Sequence, residues 1–229
     1  MLILQIETAT AVCSVALSRN GITIAQAEID SPNVHASKLT RLIEQVMDEC
    51  SLKLGQLDAI AVSKGPGSYT GLRIGVSTAK GLCYALEKPL IAIDSLHALA
   101  DGFIFDHPEL PASGLLYPMI DARRLEVYTA TYSAAGAILK KTSAQVLDSE
   151  FFACQSGEGP FVLFGDGADK FEEVFLGDKR VRVVTHVRQS AANLTRLAYE
   201  SFLISRFEDN AYFEPFYLKD FVPLQPKKK

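Results

Sequence analysis

One pattern is written twice along this chain. An apolar run at residues 2–6 ends in Glu7 and is followed by a second run at 12–18, by Asn20-Gly21, and by a third run at 22–29. Farther on, an apolar run at 115–120 ends in Asp121 and leads through 126–132 and Gly136 to 138–146. Uninterrupted apolar runs suit strands buried on both faces, and Asn-Gly is a strong two-residue hairpin signal. Each copy then continues with a buried strand that ends in a glycine turn. Residues 57–62 precede Gly65-Pro66-Gly67, and 161–164 precede Gly165-Asp166-Gly167, which is expected to lead into a helix.

A three-strand meander feeding strand–helix units, occurring twice, is the plan of a duplicated actin-like (ASKHA, ribonuclease H-like) α/β fold with two lobes. Pro108, Pro111 and Gly114 cluster between the copies, which sets the expected lobes at 1–107 and 108–229. Helices are expected at 34–50, opened by Ser31-Pro32-Asn33, at 71–86, at 95–105 and at 190–207, with a short strand at 89–93. In such a fold Glu7 and Asp121 lie at the mouth of a cleft, where phosphates and a metal would sit. Capping of turns at strand ends explains the same two acids.

The segment Gly65-Pro66-Gly67-Ser68-Tyr69-Thr70-Gly71-Leu72-Arg73-Ile74-Gly75 is the most distinctive. Glycines there let the chain turn sharply, and Ser68 or Thr70 can cap the helix that follows. Its free amides would also suit an anion. It is not a P-loop, because no Gly-Lys-Ser/Thr follows, and Ser68 is not centred in G-x-S-x-G. Behind it, Gly71, Gly75, Ala79 and Cys83 form a stripe of small side chains at four-residue spacing. A mid-helix glycine costs about 1 kcal/mol against alanine, so Gly75 and Gly81 call for close contacts, either within the chain or with another subunit.

Enzymatic apparatus is sparse. There is no H-E-x-x-H, and Cys13, Cys50, Cys83 and Cys154 form no C-x-x-C pair, which favours buried thiols. Asp94 and His97 read as a capping acid beside a first-turn histidine, and His35 as a surface or interface residue. The net charge of -4 lacks the basic footprint of a stand-alone nucleic-acid binder, apart from Lys227-Lys228-Lys229. No uncharged apolar run approaches the roughly 18 residues of a membrane span, and Met1–Glu7 does not read as a signal peptide, so a cytoplasmic location is expected.

Residues 6–17, the 65–75 segment, Ile120-Asp121-Ala122-Arg123 with Glu126-Val127-Tyr128, Gly165-Asp166-Gly167 and Pro215-Phe216-Tyr217-Leu218 together resemble the TsaB (YeaZ) family. The resemblance runs from residue 1 to about residue 222. It implies a non-catalytic partner of TsaD, a related enzyme that transfers a threonylcarbamoyl group to adenosine 37 of tRNAs reading codons that begin with A. It also implies a TsaE-like ATPase in the assembly, a possible homodimer, tRNA engaged only through the complex, and no cofactor. Carried over to this chain, the partner-binding residues are His35, Leu39, Leu42, Gly71, Arg73, Gly75, Val76, Ala79, Lys80 and Cys83. The two histidines that hold the metal of TsaD match Ser95 and Leu99, and an acidic pair in TsaD matches Ala11-Val12. A leucine cannot donate to a metal. Glu7 stands where these proteins often carry Asp, and Lys219 where Arg is common. The rival classes are an M22-like metalloprotease and an actin-like nucleotide enzyme using Glu7, Asp121 and the Gly165-Asp166-Gly167 turn.

Overall fold

The structure is a computed structural model and describes residues 1–152 and 159–219. β1 (Leu2–Glu7), β2 (Val12–Arg19) and β3 (Ile22–Asp30) form the first meander. Asn20 and Gly21 take φ of 52° and 79°, the left-handed pair that a tight hairpin turn requires. After α1 (His35–Glu49), β4 (Ala59–Gly65) and β5 (Leu90–Asp94) extend the sheet in parallel, joined by α2 (Tyr69–Leu86). The strand order is β3-β2-β1-β4-β5.

α3 (Ser95–Asp106) leads to the second copy. β6 (Leu115–Asp121), β7 (Glu126–Ser133) and β8 (Ile138–Val146) form its meander, and β9 (Phe161–Phe164) and β10 (Val181–Val184) pair in parallel beside β6. Read from the third strand of each copy, the orders are identical. α4 (Thr195–Leu203) is the last helix among the described residues.

Apolar faces dictate the packing. α1 and α2 bury Leu39, Leu42, Val46, Val76, Ala79 and Cys83 against Leu4, Ile6, Val15 and Val62 on one face of the first sheet. The opposite face takes Leu194, Leu197 and Ala198. α3 turns Leu96, Leu99, Ala100 and Phe103 onto Leu116, Ile120, Val162 and Phe164 of the second sheet. The far face of that sheet is covered by Phe152, Phe171 and Phe175.

Several expectations need correction. Ser31 and Asn33 do not open α1: Asn33 is left-handed at φ 62°, and the cap position falls on Val34, which makes no side-chain bond. The Gly165-Asp166-Gly167 turn leads only into a single turn of 3-10 helix, Asp169–Phe171, because the chain follows the sheet to bury Phe171 and Phe175. The last helix is shorter than 190–207, since Ser190 caps a separate turn at Ala191–Leu194 and Ser205 leaves helical space at φ 53°. Strand β10 was not anticipated. Cys13 and Cys83 are buried, Cys50 is half-buried, and Cys154 and the terminal lysines lie outside the described residues. No helix among the described residues is long and apolar enough to cross a membrane.

Candidate functional site

The C-terminal ends of β1, β4, β6 and β9 meet at a cleft between the two copies, with a volume of about 830 Å³. Its walls are the β1–β2 turn at Ala9–Ala11, the start of α2 at Ser68–Gly71, the β6–β7 turn at Asp121–Arg123, and Asp166. His35, Tyr128, Tyr217 and Lys219 complete the rim.

Both glycine turns are placed by close approach. Gly65 and Gly165 take φ of 109° and 102°, which L side chains rarely adopt. A Cβ at Gly167 would lie 2.7 Å from the Ile120 carbonyl carbon. The loop after β9 therefore packs directly on the end of β6, as Gly67 packs on Ala9 in the first copy.

The acids differ sharply. Glu7 is fully buried; one carboxyl oxygen accepts from the Ala9 amide at 2.6 Å and the Ser63 hydroxyl at 2.8 Å. Its other oxygen has no partner among the described residues. Burial pushes its pKa up to about 7, with the Asp166 charge adding to the effect. Asp166, on the facing copy, is pushed up to about 6 by burial, with Asp121 contributing in the same direction. Asp121 is exposed and pairs with Lys170. The sequence offers Asp166 only as the middle of the Gly165-Asp166-Gly167 turn; an acid flanked by two glycines at a strand end is the signal that points to it individually.

The residues expected to meet a partner are mostly turned inward. Leu39, Leu42, Val76, Ala79 and Cys83 belong to the core, and His35 is buried with Nε2 3.3 Å from the Val12 carbonyl. Gly71 and Gly75 press on Thr8, leaving no room for a Cβ at either position. The small-residue stripe thus serves an internal contact. Lys80 donates to the carbonyls of Ala211 and Phe213 at 3.2 and 2.9 Å. Of the ten, Arg73 is exposed, its guanidinium 4.9 Å from the Tyr69 ring centre. The outward face of α2 carries Ser77, Gly81 and Tyr84 instead, and a Cβ at Gly81 would meet nothing within 4 Å among the described residues.

The two positions matched to metal ligands are occupied by packing. The Ser95 hydroxyl accepts from the Gly65 amide at 3.1 Å, and Leu99 is buried with Cδ2 2.8 Å from where a Gly165 Cβ would stand. These residues do not fit a metal, and among the described residues no group of three His, Cys, Asp or Glu side chains is placed to hold one. Asp94 accepts from the amides of Leu96 and His97 at 3.0 Å each, the capping role its position suggested.

Two sheets of identical order facing each other across a cleft define a two-lobed actin-like protein. Residues 29–159 match the family model described as "TsaD: tRNA N6-adenosine threonylcarbamoyltransferase". The tRNA threonylcarbamoyladenosine biosynthesis protein TsaB of Bacillus subtilis (strain 168) is 37% identical over 142 residues, covering 62% of this chain and 59% of that protein. The structure of YeaZ from Pseudomonas aeruginosa superposes with a TM-score of 0.77 at 28% identity, over 95% of this chain and 99% of that one. The activator of the 2-hydroxyisocaproyl-CoA dehydratase from Clostridium difficile, at a TM-score of 0.50 and 11% identity over 90% and 97% of the two chains, shares the fold alone. The chain belongs to the TsaD-like family, among its TsaB (YeaZ) members. The match spans 51% to 59% of the length of the curated TsaB relatives.

Proposed function

We propose that this chain is a non-catalytic subunit that pairs with a TsaD-like transferase, together with a TsaE-like ATPase, in threonylcarbamoylation of tRNA. The observation that carries this reading is the fate of Ser95 and Leu99. Where the transferase holds its metal, this chain uses a hydroxyl to bind its own Gly65 amide and a leucine to fill its own core. Residues 1–107 and 108–229 act in this reading as the two lobes of the shared scaffold, and tRNA is engaged through the complex.

The partner-facing element is the outer side of α2, with α1 beside it. Gly75 packs closely on Thr8, but a Cβ at Gly81 would meet nothing within 4 Å among the described residues. A partner helix lying across Gly81 would offset its helical cost and cover Tyr84, which is 83% exposed. The same face would serve a homodimer. Co-purification with the transferase subunit, followed by tRNA modification with and without this chain, tests the proposal. Modification by the transferase and ATPase at full rate in the absence of this chain would refute it, as would turnover by this chain alone.

A further inference from the structure

Residues 208–219 run back over the first lobe and then cross the cleft mouth to the second. The upstream part is firmly seated. The Glu208 amide donates to the Leu90 carbonyl at 2.9 Å, and the Asn210 amide group donates to the Lys80 carbonyl at 3.3 Å. Lys80 holds the carbonyls of Ala211 and Phe213, and Phe213 packs on the first core. The Phe216 amide donates to the Lys64 carbonyl at 2.7 Å, and its own carbonyl would stand 2.5 Å from a Gly65 Cβ.

Beyond Phe216 the hold is different in kind. Tyr217 leans on Tyr69 with ring centres 4.8 Å apart, and Arg73 covers the same Tyr69 ring. Lys219 then forms an ion pair with Glu126 at the start of β7, in the opposite lobe; the two side chains are 43% and 25% exposed. Exposed ion pairs are weak and screened by salt, so this end can release while the anchored part stays in place.

We infer that Tyr217–Lys219 is a latch between the lobes, hinged after Phe216 and closed by the Lys219–Glu126 pair. Closed, it walls the cleft beside Ser68–Gly71; open, it frees the mouth of the cleft and the first turn of α2. The inference goes beyond the partner reading and is tested without any partner.

The chain has no tryptophan, so Tyr217→Trp introduces a single fluorescent reporter on the latch. Acrylamide quenching of that tryptophan is measured in the full chain. Adding Lys219→Glu should raise the quenching constant roughly two- to fivefold, the range that loss of a surface ion pair allows. Combining it with Glu126→Lys should restore the original value, and high salt should loosen the parent as the single change does. A quenching constant indifferent to Lys219→Glu, or a swapped pair as loose as the single variant, overturns the inference. If Tyr217→Trp does not fold, Leu218→Trp carries the same measurement.

Discussion

The Ser63 hydroxyl donates to Glu7 at 2.8 Å across two parallel strands, and with the Ala9 amide it serves only one oxygen of a carboxyl whose other oxygen is buried without a partner among the described residues. Such a group favours its neutral form, because burial penalises the charge more than two hydrogen bonds repay.

Stability should therefore fall as pH rises. The folded pKa of about 7 lies above the ordinary 4.5, so the folded state holds the proton that the unfolded chain has already released. The sign is a contribution fully present below about pH 4.5 and lost as pH rises through about 7, worth on the order of 3 kcal/mol. Urea denaturation of Glu7→Gln beside the parent from pH 5 to 8 checks it. The variant should lose most of this slope; parallel curves would remove Glu7 from the account.

Gly75→Asp should destabilise the whole fold rather than selectively remove a binding surface. The side chain would be driven into Thr8, whose hydroxyl is itself buried without a partner among the described residues. The cost is roughly 3 kcal/mol, from overpacking plus a buried charge. A lowered urea midpoint in the isolated chain is the expected result, and an unchanged one would contradict the packing described.

Gly81→Arg and Tyr84→Asp should behave in the opposite way. Both positions are exposed, so the isolated chain should stay within about 0.5 kcal/mol of the parent. Pairing with the transferase subunit should weaken more than tenfold, about 1.4 kcal/mol, by titration calorimetry. Full affinity in both variants would move the interface off α2.

Ser68→Ala should cost about 1 kcal/mol, since the Ser68 hydroxyl accepts from the Gly71 amide at 3.2 Å and caps an 18-residue helix. A shift of the denaturation midpoint checks this, and rescue by Ser68→Asp separates capping from a packing defect.

The repeated meander was legible because period and punctuation agreed: apolar runs, Asn20-Gly21, and an acid at each first-strand end. The α2 stripe was legible as a close contact but not as to which contact, because spacing alone does not say that Thr8 lies beneath Gly71 and Gly75. Local pattern also suggested a cap at Ser31 and a helix after Gly167, and tertiary placement overrode both. The burial of Asp166 and the Tyr69–Tyr217 pair were hidden for another reason. They gain meaning only when segments far apart in the chain meet at the cleft.

α3 follows the first sheet in the chain yet shields the second, while α4 follows the second sheet and shields the first. Each half thus depends on a helix supplied by the other. Severing the chain near residue 107 would leave two fragments with a bared apolar surface apiece, and neither should persist as a separate folded body. Two like units are thereby bound into a single indivisible one.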